Sequence, residues 1–150
     1  NKGRPYGLKF AVPKKKNDRL YSAVAELGLG LEDKMDIPVG LLSGGQRQAI
    51  ALLMATMTPI SFLILDEHTA ALDPKTAEII MKLTDRIVRE KSLTAIMVTH
   101  NLRYAVEYGN RMLMLHHGDI VLERKAAAKT ETTVDDILSV FNEISIECGN

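Results

Sequence analysis

Phe62-Leu63-Ile64-Leu65-Asp66-Glu67 decides the fold. Four consecutive apolar residues end abruptly in two acids. A run this short is a strand rather than a helix, and apolar character at every position predicts burial on both faces, as in a parallel sheet. Downstream, Ile79, Ile80, Leu83 and Ile87 recur at helical spacing over residues 75–90. A second apolar run, Ala95-Ile96-Met97-Val98, follows within residues 94–99 and leads directly into His100. Strand, long helix, strand predicts a parallel βαβ unit, and the fold class is α/β.

Beyond His100 a short helix is expected over residues 101–108, stopped by Gly109. Residues 111–115 and 120–123, joined through His116-His117-Gly118-Asp119, read as a β-hairpin. Ala126-Ala127-Ala128, flanked by lysines, reads as a linker or surface turn. Thr132 or Thr133 can cap a last helix carrying Val134, Ile137, Leu138, Phe141 and Ile144. His116 and His117 sit at a strand end, where neighbours point to opposite faces, so they make a poor metal pair. Upstream, an apolar helix is expected over residues 44–57. Another over residues 19–28 carries Leu20, Ala23, Val24 and Leu27 and stops at Gly28 and Gly30; one more turn is expected over residues 32–35, before Pro38. The opening residues are basic and rich in Gly and Pro (Lys2, Gly3, Arg4, Pro5, Lys14, Lys15, Lys16) and read as a solvated loop, with no first core strand. Domain organisation is expected as a basic segment with part of a helical subdomain (1–40), a catalytic core piece (41–125) and a linker with C-terminal helix (126–150).

With 150 residues the chain has room for one domain of ordinary size. Apolar residues at 46% and charged residues at 25% exclude a disordered tail, a fibre or a bundle of membrane spans. Nineteen basic and nineteen acidic residues cancel, so no global positive field marks a nucleic-acid binder. Cys148 is the single cysteine and cannot form an intrachain disulfide. No signal-peptide pattern opens the sequence, and no apolar run approaches the ~20 residues that cross a bilayer.

Three groups of residues carry chemistry. In Leu42-Ser43-Gly44-Gly45-Gln46, Ser43 stands at a helix N-cap with Gln46 three residues later, a capping box. Two glycines at the helix entry let backbone amides approach an anion, so the loop suits a phosphate oxygen. Asp66 and Glu67 leave a strand at its carboxyl end, where open α/β sheets bind ligands. Asp66 suits a hydrated Mg²⁺, and Glu67 suits a base acting on water. His100 leaves the neighbouring parallel strand, so it belongs at the same sheet edge and could hydrogen-bond a terminal phosphate.

The ordered set of residues 42–46, residues 62–67, Ala71-Leu72-Asp73 and His100 resembles the C-terminal half of an ATP-binding-cassette (ABC) ATPase over about residues 20–123. The resemblance implies a P-loop NTPase-like fold with part of the helical subdomain. It makes residues 42–46 the signature loop, residues 62–66 the Walker B strand, Glu67 the catalytic glutamate, residues 71–73 the D-loop and His100 the switch histidine. ATP and Mg²⁺ are the implied ligands. The implied partners are membrane permease subunits, at the cytoplasmic face of the membrane, and a second cassette paired head to tail, whose nucleotide would meet Ser43, Gly44, Gly45 and Gln46. The wording of residues 66–76 resembles bacterial importers of small solutes.

Two departures stand out. His68 occupies the place where the family usually has Pro. The chain also holds no Gly-x-x-x-x-Gly-Lys-Ser/Thr motif, so the sequence is expected to be a truncated cassette, inactive alone and self-associating through an uncovered strand. A non-catalytic half-module pairing with a complete cassette and a soluble ribosome-acting cassette protein are the alternatives.

Overall fold

The computed structural model describes residues 14–147, with side chains described over residues 18–144. The expected loop at residues 1–13 lies outside the described residues. The chain divides into two compact units, one of residues Asn1–Ile60 and Ala71–Ile87, the other of Ser61–Ala70 and Val88–Asn150.

In the first unit, α1 (Lys14–Ala25) begins five residues before the expected start. It ends ahead of Gly28 and Gly30, both at positive φ (70° and 62°), where the absence of Cβ removes the steric cost. A 3₁₀ turn at Glu32–Lys34 and another at Val39–Leu41 lead to α2 (Gly44–Thr56). The buried stripe of α3 (Pro74–Glu90) is Ala77, Ile80, Met81, Leu83, Thr84 and Ile87. Ile79, expected on that face, lies outside the stripe and is exposed. Burying Thr56 and Thr84 is tolerable because each hydroxyl donates to the carbonyl four residues back, Leu52 at 2.9 Å and Ile80 at 2.8 Å.

In the second unit, β1 (Phe62–Asp66) and β2 (Thr94–Val98) pair in parallel, with Ile64 opposite Ile96 and Asp66 opposite Val98. The expectation of burial on both faces is corrected. Leu63 and Leu65 are buried, but Phe62, Ile64, Ile96 and Val98 form an exposed face, since face burial depends on an element packing over it, and among the described residues each strand also pairs only with the other, which leaves the edges open. After α4 (Leu102–Glu107), β3 (Arg111–His116) and β4 (Asp119–Lys125) form an antiparallel hairpin. Its turn residues His117 and Gly118 both have positive φ (49° and 92°), which matches the right-handed strand twist. That turn brings the His116 and His117 rings to 4.1 Å between centroids rather than to opposite faces. No cluster of three or more metal-binding side chains occurs among the described residues.

Met112, Leu122 and Ile137 form the hairpin's core, with Leu102, Val106 and Val140 packed around it. Residues 126–128 are not a linker: they open a short helix, α5 (Ala126–Glu131). The cause is Lys129, which is buried and donates from Nζ to the Val106 carbonyl, anchoring α5 to α4. Burial holds that ammonium below its usual pKa, against the pull of Glu107. Thr133, of the two candidates, caps α6 (Val134–Glu147), and its amide donates to the Asp136 carboxylate at 2.7 Å.

Three carboxyl groups lie below their ordinary pKa: Asp73 through the Thr76 hydroxyl and amide, Asp136 through the Thr133 amide and hydroxyl, and Glu123 through Lys125 and Arg111. A depressed carboxyl pKa contributes stability above the unfolded value, about 4, and loses it as pH falls through the folded value. The thermal midpoint is therefore expected to fall in two steps on acidification: a first below about pH 6.5, because burial holds the His68 imidazole below its ordinary pKa in the fold, and a second below about pH 4 from the three carboxyl groups. Asp73→Asn combined with Asp136→Asn should flatten part of the second step. Scanning calorimetry across the range checks this, and a midpoint that rises on acidification contradicts it.

Candidate active-site edge and signature loop

Parallel pairing carries the carboxyl ends of β1 and β2 to one edge. The Glu67 amide extends the ladder one step past Asp66 by donating to the Val98 carbonyl at 3.0 Å. Glu67 itself is left-handed, φ 47°, a conformation that costs a non-glycine residue about 1–3 kcal/mol. A turn supports it, with the Ala70 amide donating to the Glu67 carbonyl at 3.0 Å. Beyond β2, the Asn101 side chain caps α4 by accepting from the Tyr104 amide at 3.3 Å.

These two turns bring Glu67 Oε2 and His100 Nδ1 to 2.6 Å. An ionised carboxylate only accepts, so the imidazole carries a proton on Nδ1. In the neutral ring Nε2 then holds a lone pair, and only the imidazolium donates from both nitrogens. The His100 side chain is 74% exposed and that of Glu67 36%, so the pair is open to a ligand and to water.

Asp66 is exposed beside them. A single strand-end carboxylate fits Mg²⁺, a hard cation that keeps several waters and takes one or two carboxylates plus phosphate oxygens. His68, half-buried after Glu67, has its pKa lowered by burial, which favours the neutral ring.

In the first unit, the expected capping box is present in both directions. Ser43 Oγ accepts from the Gln46 amide and Gln46 Oε1 accepts from the Ser43 amide, each at 3.2 Å. Two further bonds were not legible in the motif. Gln46 Nε2 donates to the Leu29 carbonyl at 3.2 Å, and Arg47 Nη1 donates to the Leu42 carbonyl at 2.6 Å. The Gly28 and Gly30 breakers around Leu29 were the available signal. The Gln46 amide is thus engaged within the chain at both ends, whereas Ser43 is exposed and its hydroxyl proton remains available. Asp73 caps α3, accepting from the Thr76 amide at 3.1 Å.

The ABC transporter family profile matches residues 3–70. The tyrosine transport ATP-binding protein of Clostridioides difficile (strain R20291) is 48% identical over 141 residues, covering 94% of this chain and 56% of that protein. The methionine import ATP-binding protein MetN 2 of Bacillus cereus (strain ATCC 14579) is 35% identical over 144 residues, 92% of this chain and 42% of the relative. The chain thus spans about half the length of the curated relatives it matches. Among solved structures, cbiO1 from Clostridium perfringens, part of the ABC transporter complex cbiONQ, superposes with TM-score 0.66 at 27% identity, covering 92% of this chain and 53% of that one. A nucleotide-free ATP-binding cassette from an ABC transporter shares the fold, with TM-score 0.69 over 97% of this chain and 55% of that one, at 20% identity. Motif order, sequence and fold agree, and the chain belongs to the ATP-binding-cassette ATPase family.

Proposed function

We propose that this chain supplies the hydrolytic edge and the signature loop of the ATP-hydrolysing subunit of a membrane importer for a small solute of the amino-acid class. The observation that carries the reading is the 2.6 Å Glu67–His100 pair beside Asp66 at one strand edge. Glu67 accepts the proton of the water attacking the terminal phosphorus, as a general base. His100 holds that carboxylate in place through Nδ1–H, and as the imidazolium it also donates from Nε2 to a terminal phosphate oxygen. Asp66 would hold a hydrated Mg²⁺, and the ion would supply charge neutralisation at the phosphates. Ser43, Gly44 and Gly45, at the N-terminus of α2, meet the terminal phosphate of a nucleotide held by a second, head-to-tail cassette, favoured by the helix dipole. Gln46 contributes by holding the loop. Asp73 holds the D-loop turn.

The solute class follows from the tyrosine and methionine named for the two relatives. Permease subunits are the membrane partners, and the place of action is the cytoplasmic face of the membrane. No described helix is long and apolar enough to cross a bilayer. The 150 residues contain no phosphate-cradling lysine loop, so the chain alone is expected neither to hold nor to turn over ATP, and it joins a second copy through its uncovered strands.

The test is a chimaera in which this chain replaces the matched segment of the C. difficile relative. Phosphate release with Mg-ATP is expected within about tenfold of the parent, a loss of about 1.4 kcal/mol at most. A folded chimaera that binds ATP and releases no phosphate rejects the reading.

A further inference from the structure

Gly45 is buried and has ordinary helical backbone, so conformation does not require glycine there. Space does. A Cβ on Gly45 would stand 2.2 Å from the Thr76 methyl, Cγ2, and the next atom it would meet, Thr76 Cβ, lies at 3.7 Å, an ordinary contact. One methyl group is the whole obstacle. The preceding glycine faces the same turn, since a Cβ on Gly44 would meet Leu72 Cδ2 at 3.1 Å.

Thr76 cannot easily turn its methyl away. Threonine is β-branched and has few rotamers in a helix. Its amide donates to Asp73 Oδ1 at 3.1 Å, and its hydroxyl also bonds the Asp73 carboxylate, which lies below its ordinary pKa for that reason first. The N-terminal turn of α3, capped by Asp73, therefore holds the methyl over the first turn of α2, capped by Ser43.

We propose that Thr76 is a positioning residue for the signature loop: its methyl, seated on Gly45, latches the Ser43-capped entry of α2 to the Asp73-capped entry of α3 so that the two loops move as one piece. The latch gives the glycine pair a packing role alongside its approach to phosphate. Its effect on hydrolysis rests on the reading of the site given above.

The test is a double-mutant cycle in the full 150-residue chain. Alanine is the better helix former, so without the latch Gly45→Ala would raise the thermal midpoint. With the latch it lowers the midpoint by a few degrees, roughly 2–4 °C for a chain of this length, and speeds hydrogen exchange at the Gln46 amide. Adding Thr76→Ser, which deletes Cγ2 and keeps the hydroxyl, returns both to wild-type values or better. Thr76→Gly alone speeds exchange at Gln46 while the β3–β4 hairpin keeps its protection. Equal effects of Gly45→Ala in the wild-type and Thr76→Ser backgrounds, or a raised midpoint with Gly45→Ala alone, overturn the latch. In the chimaera, Gly45→Ala lowers kcat by about a hundredfold with KM for ATP little changed, and Thr76→Ser restores it. Coupling in the chain without any response of kcat supports the latch as packing and overturns its role in hydrolysis, whereas an ATP-binding chimaera that releases no phosphate rejects the hydrolytic reading itself, so the two failures are distinct.

Discussion

Glu67→Gln in the chimaera is expected to cut ATP turnover by roughly two to four orders of magnitude, the usual contribution of a positioned general base, while nucleotide binding persists. Glutamine keeps the volume of the side chain and a carbonyl oxygen that still accepts from His100 Nδ1–H, so the 2.6 Å pairing survives in form. It has no basic oxygen to take a proton from water. Its backbone demand is the same as that of Glu, so the left-handed φ of 47° gains no new penalty. Glu67→Asp tests placement: the shorter side chain withdraws from His100, and turnover should fall although a base remains. His100→Ala should fall less far than Glu67→Gln, because it loosens the base without removing it. Single-turnover phosphate release gives the rate, and retention of radiolabelled nucleotide gives binding. Full turnover in the Glu67→Gln variant would move the base role to another residue.

The site was legible where its geometry follows from backbone topology. Two parallel strands must end at one edge, so residues 66, 67 and 100 could be brought together from the apolar runs alone, and Asp66 does lie opposite Val98. The capping box was legible for the same reason: a helix N-cap and the residue three places later always share one turn. What stayed hidden depends on contacts between elements. The Gln46–Leu29 bond spans seventeen residues, and the Gly45–Thr76 contact joins turns thirty-one positions apart in the chain. No period or motif encodes either. The fold shows the same division. An apolar strand reports that both faces are built for burial, yet it does not report what covers them, which is how Ile64 comes to be exposed. The three alanines at 126–128 read as a linker because the anchor of that helix, Lys129, is a charged residue whose burial is visible only once the Val106 carbonyl is beside it.

The 150-residue chain is expected to sediment as a dimer or larger species, with or without ATP. Ile64 and Ile96 are register partners on one face of the β1–β2 pair and are 64% and 51% exposed. Phe62 and Val98 extend that face, at 48% and 49% exposure. The outer edges of both strands have no ladder partner among the described residues. Flat apolar strands with free amides and carbonyls recruit further strands, and charge on the strand is a common natural protection against it. These strands carry no such protection between Phe62 and Leu65 or between Thr94 and Val98. A second copy supplies both the missing ladder and the missing cover, and burial of the four side chains contributes at about 25 cal/mol per Å² of apolar surface removed from water. This association differs from the nucleotide sandwich of the family, because it needs no phosphate and leaves residues 43–46 uninvolved. Ile64→Lys together with Ile96→Lys should therefore give a monomer, and because both positions are exposed the change should cost little stability. Sedimentation velocity at several protein concentrations, with and without Mg-ATP, decides the matter. A wild-type monomer at tens of micromolar, or a dimer that forms only with ATP and persists in the double-lysine variant, would show that the β1–β2 face is not what joins the copies.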